Sequence, residues 1–378
     1  MFVASTVTVW GGTNAQLTVT TGHAHCLVVA MRVVVTGATG NVGTSLLTAL
    51  ADEPDVHEIV GIARRKPKLS FIKTRFEQAD VARDDLRPHF RGADAVVHLA
   101  WRIHPSHDLA ELTRNNVEGS RRVFDAVVDA GVPALVYASS VGAYIAGPDD
   151  GAVDEMWPIG GIVTSTYSRQ KAEVERILDE VERASRLRVV RMRPALIFKR
   201  EAAAHIHRLF LGRLATRAMF DRRVLRALPK INDLCFQCVH SLDVGRAYAA
   251  AIVRDAHGPF NLAADPPIGP DALRSLLDNN GRFVIKPAQL RRAVEIAWRL
   301  HLQPADPGWV DMAFQLPLLD CRRAETELDW RPRHNALETL EELLDGLRWG
   351  DGIDTPPLTP RRAPLRTLRP RTTRGAEA

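Results

Sequence analysis

The chain has 378 residues, 46% of them hydrophobic and 25% charged, with a formal net charge of +5 and a pI near 9.2. These proportions are ordinary for a folded soluble chain, and there is no run of about 18 apolar residues to cross a membrane. The charge excess is local: Thr355 to Ala378 carries six arginines and one acid, Glu377, whereas residues 1–354 hold 44 basic and 44 acidic side chains. The rest of the chain is therefore neutral, so no specific nucleic-acid partner is expected.

Residues 1–30 lack a basic start and a sustained apolar stretch, so they are not a signal peptide. They read as an unstructured extension in which STVTVW offers at most an edge strand. From Met31, β-branched runs alternate with helical patterns. The predicted strands are Arg32–Thr36, Glu58–Ala63, Arg75–Asp80, Ala95–Leu99, Ala134–Ser139 and Arg188–Met192. Helices are expected at Val42–Leu50, Asn116–Ala130 and Thr166–Arg186. Such alternation builds right-handed crossovers, giving an α/β, Rossmann-type doubly wound parallel sheet. After Pro194 the rhythm breaks into a basic, helical stretch, ALIFKREAAAHIHRLFLGRLATRAMFDRRVLRALP. The strand LCFQCVH, the helix LDVGRAYAAAIVRD and GPFNLA then return. The expected layout is a nucleotide-binding domain at 31–194 plus about 236–263. A smaller, mainly helical substrate lobe takes 195–235 plus 264–350. The Pro- and Arg-rich tail from 351 is too poor in apolar residues to fold.

Four cysteines, Cys26, Cys235, Cys238 and Cys321, make no disulfide framework, which fits a reducing, cytoplasmic compartment. Cys235 and Cys238 form a CxxC followed by His240, but a structural zinc needs about four ligands and no second pair is near, so no metal is expected.

RVVVTGATGNVGTSLLTAL, residues 32–50, places Gly37, Gly40 and Gly43 between a strand and a helix. The first glycine permits the tight turn, the second lets a phosphate approach the backbone, and the third lets the helix lie close to the sheet. The helix beginning near Asn41 then turns its free amides and positive end toward a pyrophosphate. An acid usually ends the second strand to hold the ribose of NAD; here Ala63 stands there and Arg64 and Arg65 follow. Arginine forks suit a 2′-phosphate, so NADP is favoured over NAD, although both arginines also serve as solvated loop charges. Asp80 and Val81 end the third strand, within reach of an adenine.

YSRQK sets Tyr167 and Lys171 on one helix face. A neighbouring ammonium is expected to lower the phenol from about 10, letting Tyr167 act as acid or base. Ser140 ends the fifth strand at the carboxyl edge of the sheet, where it reaches the same substrate oxygen.

TGATGNVG (36–43), HLA (98–100), NVEGS (116–120), YASSVGAY (137–144), YSRQK (167–171) and RP (193–194) occur in that order. Together they resemble the extended short-chain dehydrogenase/reductases, the NAD-dependent epimerase/dehydratase family. VHSLDVGRA (239–247) and LDCRRAETELDWRP (319–332) carry the resemblance to about Trp349. It implies that Gly37, Gly40, Asn41 and Val42 line the pyrophosphate, and that Asp80 and Val81 face the adenine. Leu99 and Ala100 would border the NAD(P) cofactor, Lys171 would hold the nicotinamide ribose, and Pro194 would flank the nicotinamide. Tyr167 becomes the catalytic acid/base and Ser140 its partner. Asn116 takes a position whose role is structural or catalytic.

The segment after Pro194 departs from the nucleotide-sugar pattern, lacking its asparagine and glycine. Arg208, Arg213 and Arg217 either hold a diphosphate or form a solvated face. Three functions stay open: an epimerase or dehydratase acting on a nucleotide sugar, an NADPH-dependent reductase or hydroxysteroid/secondary-alcohol dehydrogenase-like enzyme, and a non-catalytic dinucleotide sensor. Val174, Ile177, Leu178 and Val181 form a stripe suited equally to a homodimer contact or to packing on the sheet.

Overall fold

The computed structural model describes residues 5–8, 18–21 and 30–360, apart from 104, 105, 149, 212–215 and 304. Residues 1–30 form one unit and 31–378 another. In the first, Ser5–Thr8 pairs antiparallel with Thr18–Thr21, so strand structure occurs where an unstructured extension was expected.

The second unit is built on seven parallel strands. They are β1 (Met31–Thr36), β2 (Val56–Ala63), β3 (Thr74–Gln78), β4 (Ala95–His98), β5 (Ala134–Ala138), β6 (Arg188–Pro194) and, later in the chain, Gly258–Leu262. The order across the sheet is Gly258–Leu262, β6, β5, β4, β1, β2, β3. Val33, Val34, Val35, Val96 and Val97 are all fully buried. A strand covered on both faces reads as a continuous apolar run rather than an alternating one. Helices α1 (Asn41–Asp52), α2 (Gly119–Asp129) and α3 (Thr166–Ala184) form the crossovers. The order in which successive strands are added reverses between β1 and β4, which opens a crevice at the carboxyl ends of those parallel strands.

Val174, Ile177 and Leu178 are buried in the sheet's own apolar cluster, with Val181 packed against it. The stripe on α3 therefore covers the sheet.

Beyond β6 the structure departs from the helical expectation. Leu196–Phe198 is a strand, β7, paired in parallel with β8 (Phe236–His240). Its partner is supplied some forty residues later (Leu196 pairs with Cys238), so local periodicity carries no trace of it. The basic stretch after it is helical as expected, in contiguous 3-10, α and π segments at Arg200–Ala202, Ala203–Ile206 and His207–Leu211. Helix α4 (Ser241–Val253) packs on α1, β9 is the returning Gly258–Leu262, and β10 (Ala264–Ile268) pairs antiparallel with β8. The lobe continues with the helix Pro270–Leu277, α5 (Pro287–Arg299), α6 (Gly308–Gln315), the short Arg322–Glu327 helix and α7 (Ala336–Trp349).

Residues 351–360, part of the segment expected to be disordered, are folded against the rest of the chain. Asp351 pairs with Arg200 at 2.7 Å, and Thr355 and Leu358 are buried. Thr355 Oγ1 donates to the Thr39 carbonyl at 3.0 Å, and Arg208 donates to the carbonyls of Pro357 and Thr359. Thr355 and Leu358 are the short apolar and hydroxyl residues of a segment whose composition is otherwise dominated by proline and arginine.

Candidate active site

The glycine loop turns out of β1 and into α1 with almost no spare space. Gly37 has φ +73°, and a Cβ there would lie 2.7 Å from the Ala100 nitrogen and 2.8 Å from the Leu99 carbonyl carbon. At Gly43 a Cβ would fall 2.5 Å from the Gly37 carbonyl oxygen. Glycine is required at both positions, and the loop is thereby pressed against Leu99–Ala100 at the end of β4. Helix α1 opens at Gly40 with no side-chain cap and no acid in its first turn. Its first amides and its positive end, at Asn41 and Val42, suit an anion. This cradle fits the diphosphate of a dinucleotide.

At the adenosine end, Ala63 is buried and Arg64 is exposed just beyond β2. Asp80 and Val81 follow β3. The Asp80 carboxylate accepts from the Ala82 amide at 3.0 Å, so part of its capacity shapes its own turn. Val81 packs against the sheet's apolar cluster. Pro194 closes β6, opposite Leu262 of β9.

Ser140, Tyr167 and Lys171 converge at the carboxyl end of β5. Gly142 is the measure of that convergence: a Cβ there would lie 3.0 Å from Tyr167 Cε1 and 3.4 Å from Ser140 Oγ. Ser140 Oγ accepts from the Gly142 amide at 3.0 Å and lies on the Tyr167 side of the strand end, where it acts to lower the phenol's pKa. Ser165 caps α3, which sets Tyr167 in its first turn and Lys171 one turn on. Lys171 is buried; its Nζ donates to the Ala138 carbonyl at 2.6 Å and lies 3.6 Å over the Trp101 ring. The expected lowering of the phenol is not what this geometry gives. Burial pushes Tyr167 up to about 12, against the opposing effect of the Ser140 hydroxyl. Burial also brings the Lys171 ammonium down to about 7, with Glu175 opposing. The ammonium is directed at the Ala138 carbonyl and the Trp101 face, with the Tyr167 ring centroid 5.9 Å away.

A buried network holds this platform. Arg193 Nε and Nη2 donate to Glu175 at 2.8 and 2.5 Å, and Nη1 donates to the Tyr144 hydroxyl at 3.0 Å. Ser139 donates to the same Glu175 carboxylate. Asn116 is buried and fully engaged: Oδ1 accepts from the Arg102 amide at 2.7 Å, and Nδ2 donates to Gln170 Oε1 at 3.0 Å and to the Arg102 carbonyl. Of its two readings, the geometry gives the structural one, a tie between the β4 loop and α3.

Three participants escaped the sequence reading. Trp101, next after the HLA motif, caps Lys171. Glu175, four residues beyond Lys171, anchors the serine strand. Trp309 of α6 lies with its ring centroid 5.1 Å from that of Tyr167, and Phe210 meets Trp309 edge-on at 4.9 Å. The i, i+4 step from Lys171 to Glu175 was a usable signal; the approach of α6 was not. Beyond Trp309 lies a cavity of about 240 Å³ lined by Phe210, Leu234, Leu290, Val294 and Phe314 among others. Its described polar lining is Gln303 and Asp306, with no cation. Arg208 donates instead to the C-terminal segment; Arg213 and the Arg217 side chain lie outside the described residues. Among the described residues no cluster of His, Cys, Asp or Glu suits a metal, and no helix is long and apolar enough to cross a membrane.

The chain is 36% identical over 118 residues to the NAD-dependent glucose-6-phosphate dehydrogenase of Haloferax volcanii, covering 30% of this chain and 45% of the relative. It is 30% identical over 172 residues to a UDP-glucose 4-epimerase of Neisseria meningitidis serogroup C, covering 40% and 49%. The matches thus span about half the length of these curated relatives. A dTDP-glucose 4,6-dehydratase from Streptomyces venezuelae, solved with NAD, superposes with a TM-score of 0.64 at 22% identity, over 84% of this chain and 97% of that one, and shares the fold. The profile of the NAD dependent epimerase/dehydratase family matches residues 33–263, from the first sheet strand through the last, and the chain belongs to that family.

Proposed function

We propose that this chain is an NADP(H)-linked oxidoreductase that interconverts a carbonyl and a secondary alcohol on a neutral, largely apolar substrate. The observation that carries the reading is the convergence of Ser140, Tyr167 and Lys171 on one point at the sheet edge. The nicotinamide, when bound, supplies or accepts the hydride at the carbinol carbon. Tyr167 holds its proton at neutral pH, because burial has raised it, and so donates it to a carbonyl oxygen. Ser140 fixes the direction of the phenol hydroxyl and offers a second hydrogen bond to the same oxygen. Lys171 keeps the floor of the site positively polarised beneath the ribose position and is itself steadied by the Trp101 face. A sensor without catalysis gains nothing from this arrangement.

The apolar substrate is supported by the lining of the cavity beyond Trp309 and by the engagement of Arg208 elsewhere. NADP is supported by exposed Arg64 at the end of β2, where no acid stands. A nucleotide sugar is the second reading, favoured by the UDP-glucose 4-epimerase relative.

A homologous series of 2-ketones, offered with NADPH and with NADH and followed by loss of absorbance, tests the proposal. Each methylene buried in the cavity should lower KM about fourfold until the cavity fills. Turnover of UDP-glucose with no response to ketone length overturns the apolar reading in favour of the nucleotide sugar. Tight retention of NAD⁺ through purification would likewise exclude a cofactor that exchanges with every turnover.

A further inference from the structure

Lys199 follows β7, five residues after Pro194, and its side chain is 5% exposed. It crosses to the glycine-loop helix, where Nζ donates to the Asn41 carbonyl at 3.0 Å, Thr44 Oγ1 at 2.7 Å and Ser45 Oγ at 3.0 Å. All three acceptors are neutral and belong to the opening of α1. Among the described residues no carboxylate forms an ion pair with it; Glu201 and Glu342 act on it only through space. The start of a helix already carries about half a positive charge, so a cation placed there is repelled. Burial disfavours the ammonium as well, bringing it down to about 8. Two sources of positive potential thus lie together beside a loop shaped for an anion. The placement is held firmly: the Asn41 amide donates to the Ile197 carbonyl at 3.1 Å, and Ser241 Oγ donates to the Asn41 carbonyl at 3.1 Å.

We propose that Lys199 belongs to the phosphate site, its buried ammonium reinforcing the positive end of α1 toward the diphosphate of the dinucleotide. This rests on the dinucleotide reading of the glycine loop and extends it to a residue of the lobe-side segment. Lys199 acts as a positioning charge beneath the helix. The same contacts would otherwise be a structural tie between β7 and α1, so the test must separate charge from scaffold.

Equilibrium binding to the full chain, with ADP and adenosine as probes, does so, because neither reaches Lys171. Lys199→Met should weaken ADP and the intact dinucleotides about tenfold, the low end for a charge-assisted contact, and leave adenosine unchanged. In the unmodified chain, ADP affinity should fall as pH rises from 7 to 9.5, because above the range where Lys199 releases its proton binding must take one up. Adenosine affinity should stay level. The other titratable groups of its surroundings are Glu201 and Glu342, which act on it through space, His240 paired with Glu342, and the adjacent Arg200 paired with Asp351; its direct neighbours on α1 are the hydroxyls of Thr44 and Ser45, the latter bonded to Ser241. A flat ADP profile in Lys199→Met assigns the pH effect to Lys199 and not to any of these. ADP affinity within twofold of normal in the variant, or a level profile in the unmodified chain, overturns the proposal. If the variant does not fold, the profile of the unmodified chain decides alone. Failure of the unmodified chain to bind any dinucleotide is a separate result, and it removes the cofactor reading itself.

Discussion

The two halves of the molecule are built to different tolerances. Around the glycine loop, backbone meets backbone: Gly37 against Leu99–Ala100, Gly43 against Gly37 and Ala38, Gly245 of α4 against Ser45, each within 3 Å of where a Cβ would stand. In the lobe, α5 has no fully buried residue and the nearby Pro270–Leu277 helix has none either. The loop gathers its close backbone approaches into one continuous turn, which few sequences can make; the lobe has them at separate glycines such as Gly281 and Gly308, and its α5 presents side chains to a cavity, which many sequences can line. The cofactor end therefore keeps a legible motif, whereas the substrate end is free to diverge.

Four perturbations would break or sharpen that contrast. Tyr167→Phe should lower turnover about 10²–10⁴-fold with dinucleotide affinity unchanged, as read by steady-state kinetics beside equilibrium binding. Retained turnover would mean that the proton passes elsewhere. Glu175→Gln leaves the Arg193 guanidinium buried without its carboxylate, and unfolding in denaturant should show a loss of about 3–5 kcal/mol. A loss under about 1 kcal/mol would show that the platform is not held by this pair. Gly43→Ala should destabilise by about 1–3 kcal/mol through overpacking, and it should weaken dinucleotide binding in step. By contrast, Phe314→Ser, on the open wall of the cavity, should change stability by about 1 kcal/mol or less while flattening the dependence of KM on ketone length. Equal damage from both substitutions would erase the distinction between the halves.

Stability against pH reports on the buried titratable groups of both parts. Lys171 and Lys199 titrate at about 7 and about 8 when folded, against 10.5 when unfolded. Between those values the unfolded chain binds the extra proton, so stability rises with pH, by roughly 1.4 kcal/mol per unit for each lysine within its window. Above about 9 the buried thiols of Cys238 and Cys321 offset this gain, and above about 10 Tyr144 and Tyr167 reverse it, because each of these groups stays protonated up to about 12 only when folded. Below 6.5, His98, buried and held down to about 3, loses stability as the unfolded imidazole charges. A thermal-denaturation series should therefore peak near pH 9; a maximum near neutrality would contradict the burial of the two lysines.

What could be read in advance follows the same division. The loop glycines, the order of the strands and the Tyr167–Lys171 spacing depend on residues near one another in sequence, and the structure brings Ser140, Tyr167 and Lys171 together. Local pattern did not reveal that Leu196–Phe198 is a strand, because its partner lies at Cys238–His240. Nor did it reveal Trp309 against Tyr167, a contact across the lobe boundary. The protonation of Tyr167 was misjudged for a related reason. The helical spacing to Lys171 is visible in the sequence, but the burial that outweighs it and the Trp101 face that draws the ammonium are products of the whole fold.

The hydrogen bond from Thr355 to the Thr39 carbonyl spans 316 positions. A ribosome that lengthens the chain by about 5–20 residues each second delivers Thr355 tens of seconds after the glycine loop. Throughout that interval the loop exists without the clasp that closes over its back. A loop made 316 positions earlier is thus finished only when Thr355 arrives, and a chain without Thr355 would leave the glycine loop, not merely the segment around Thr355, incomplete.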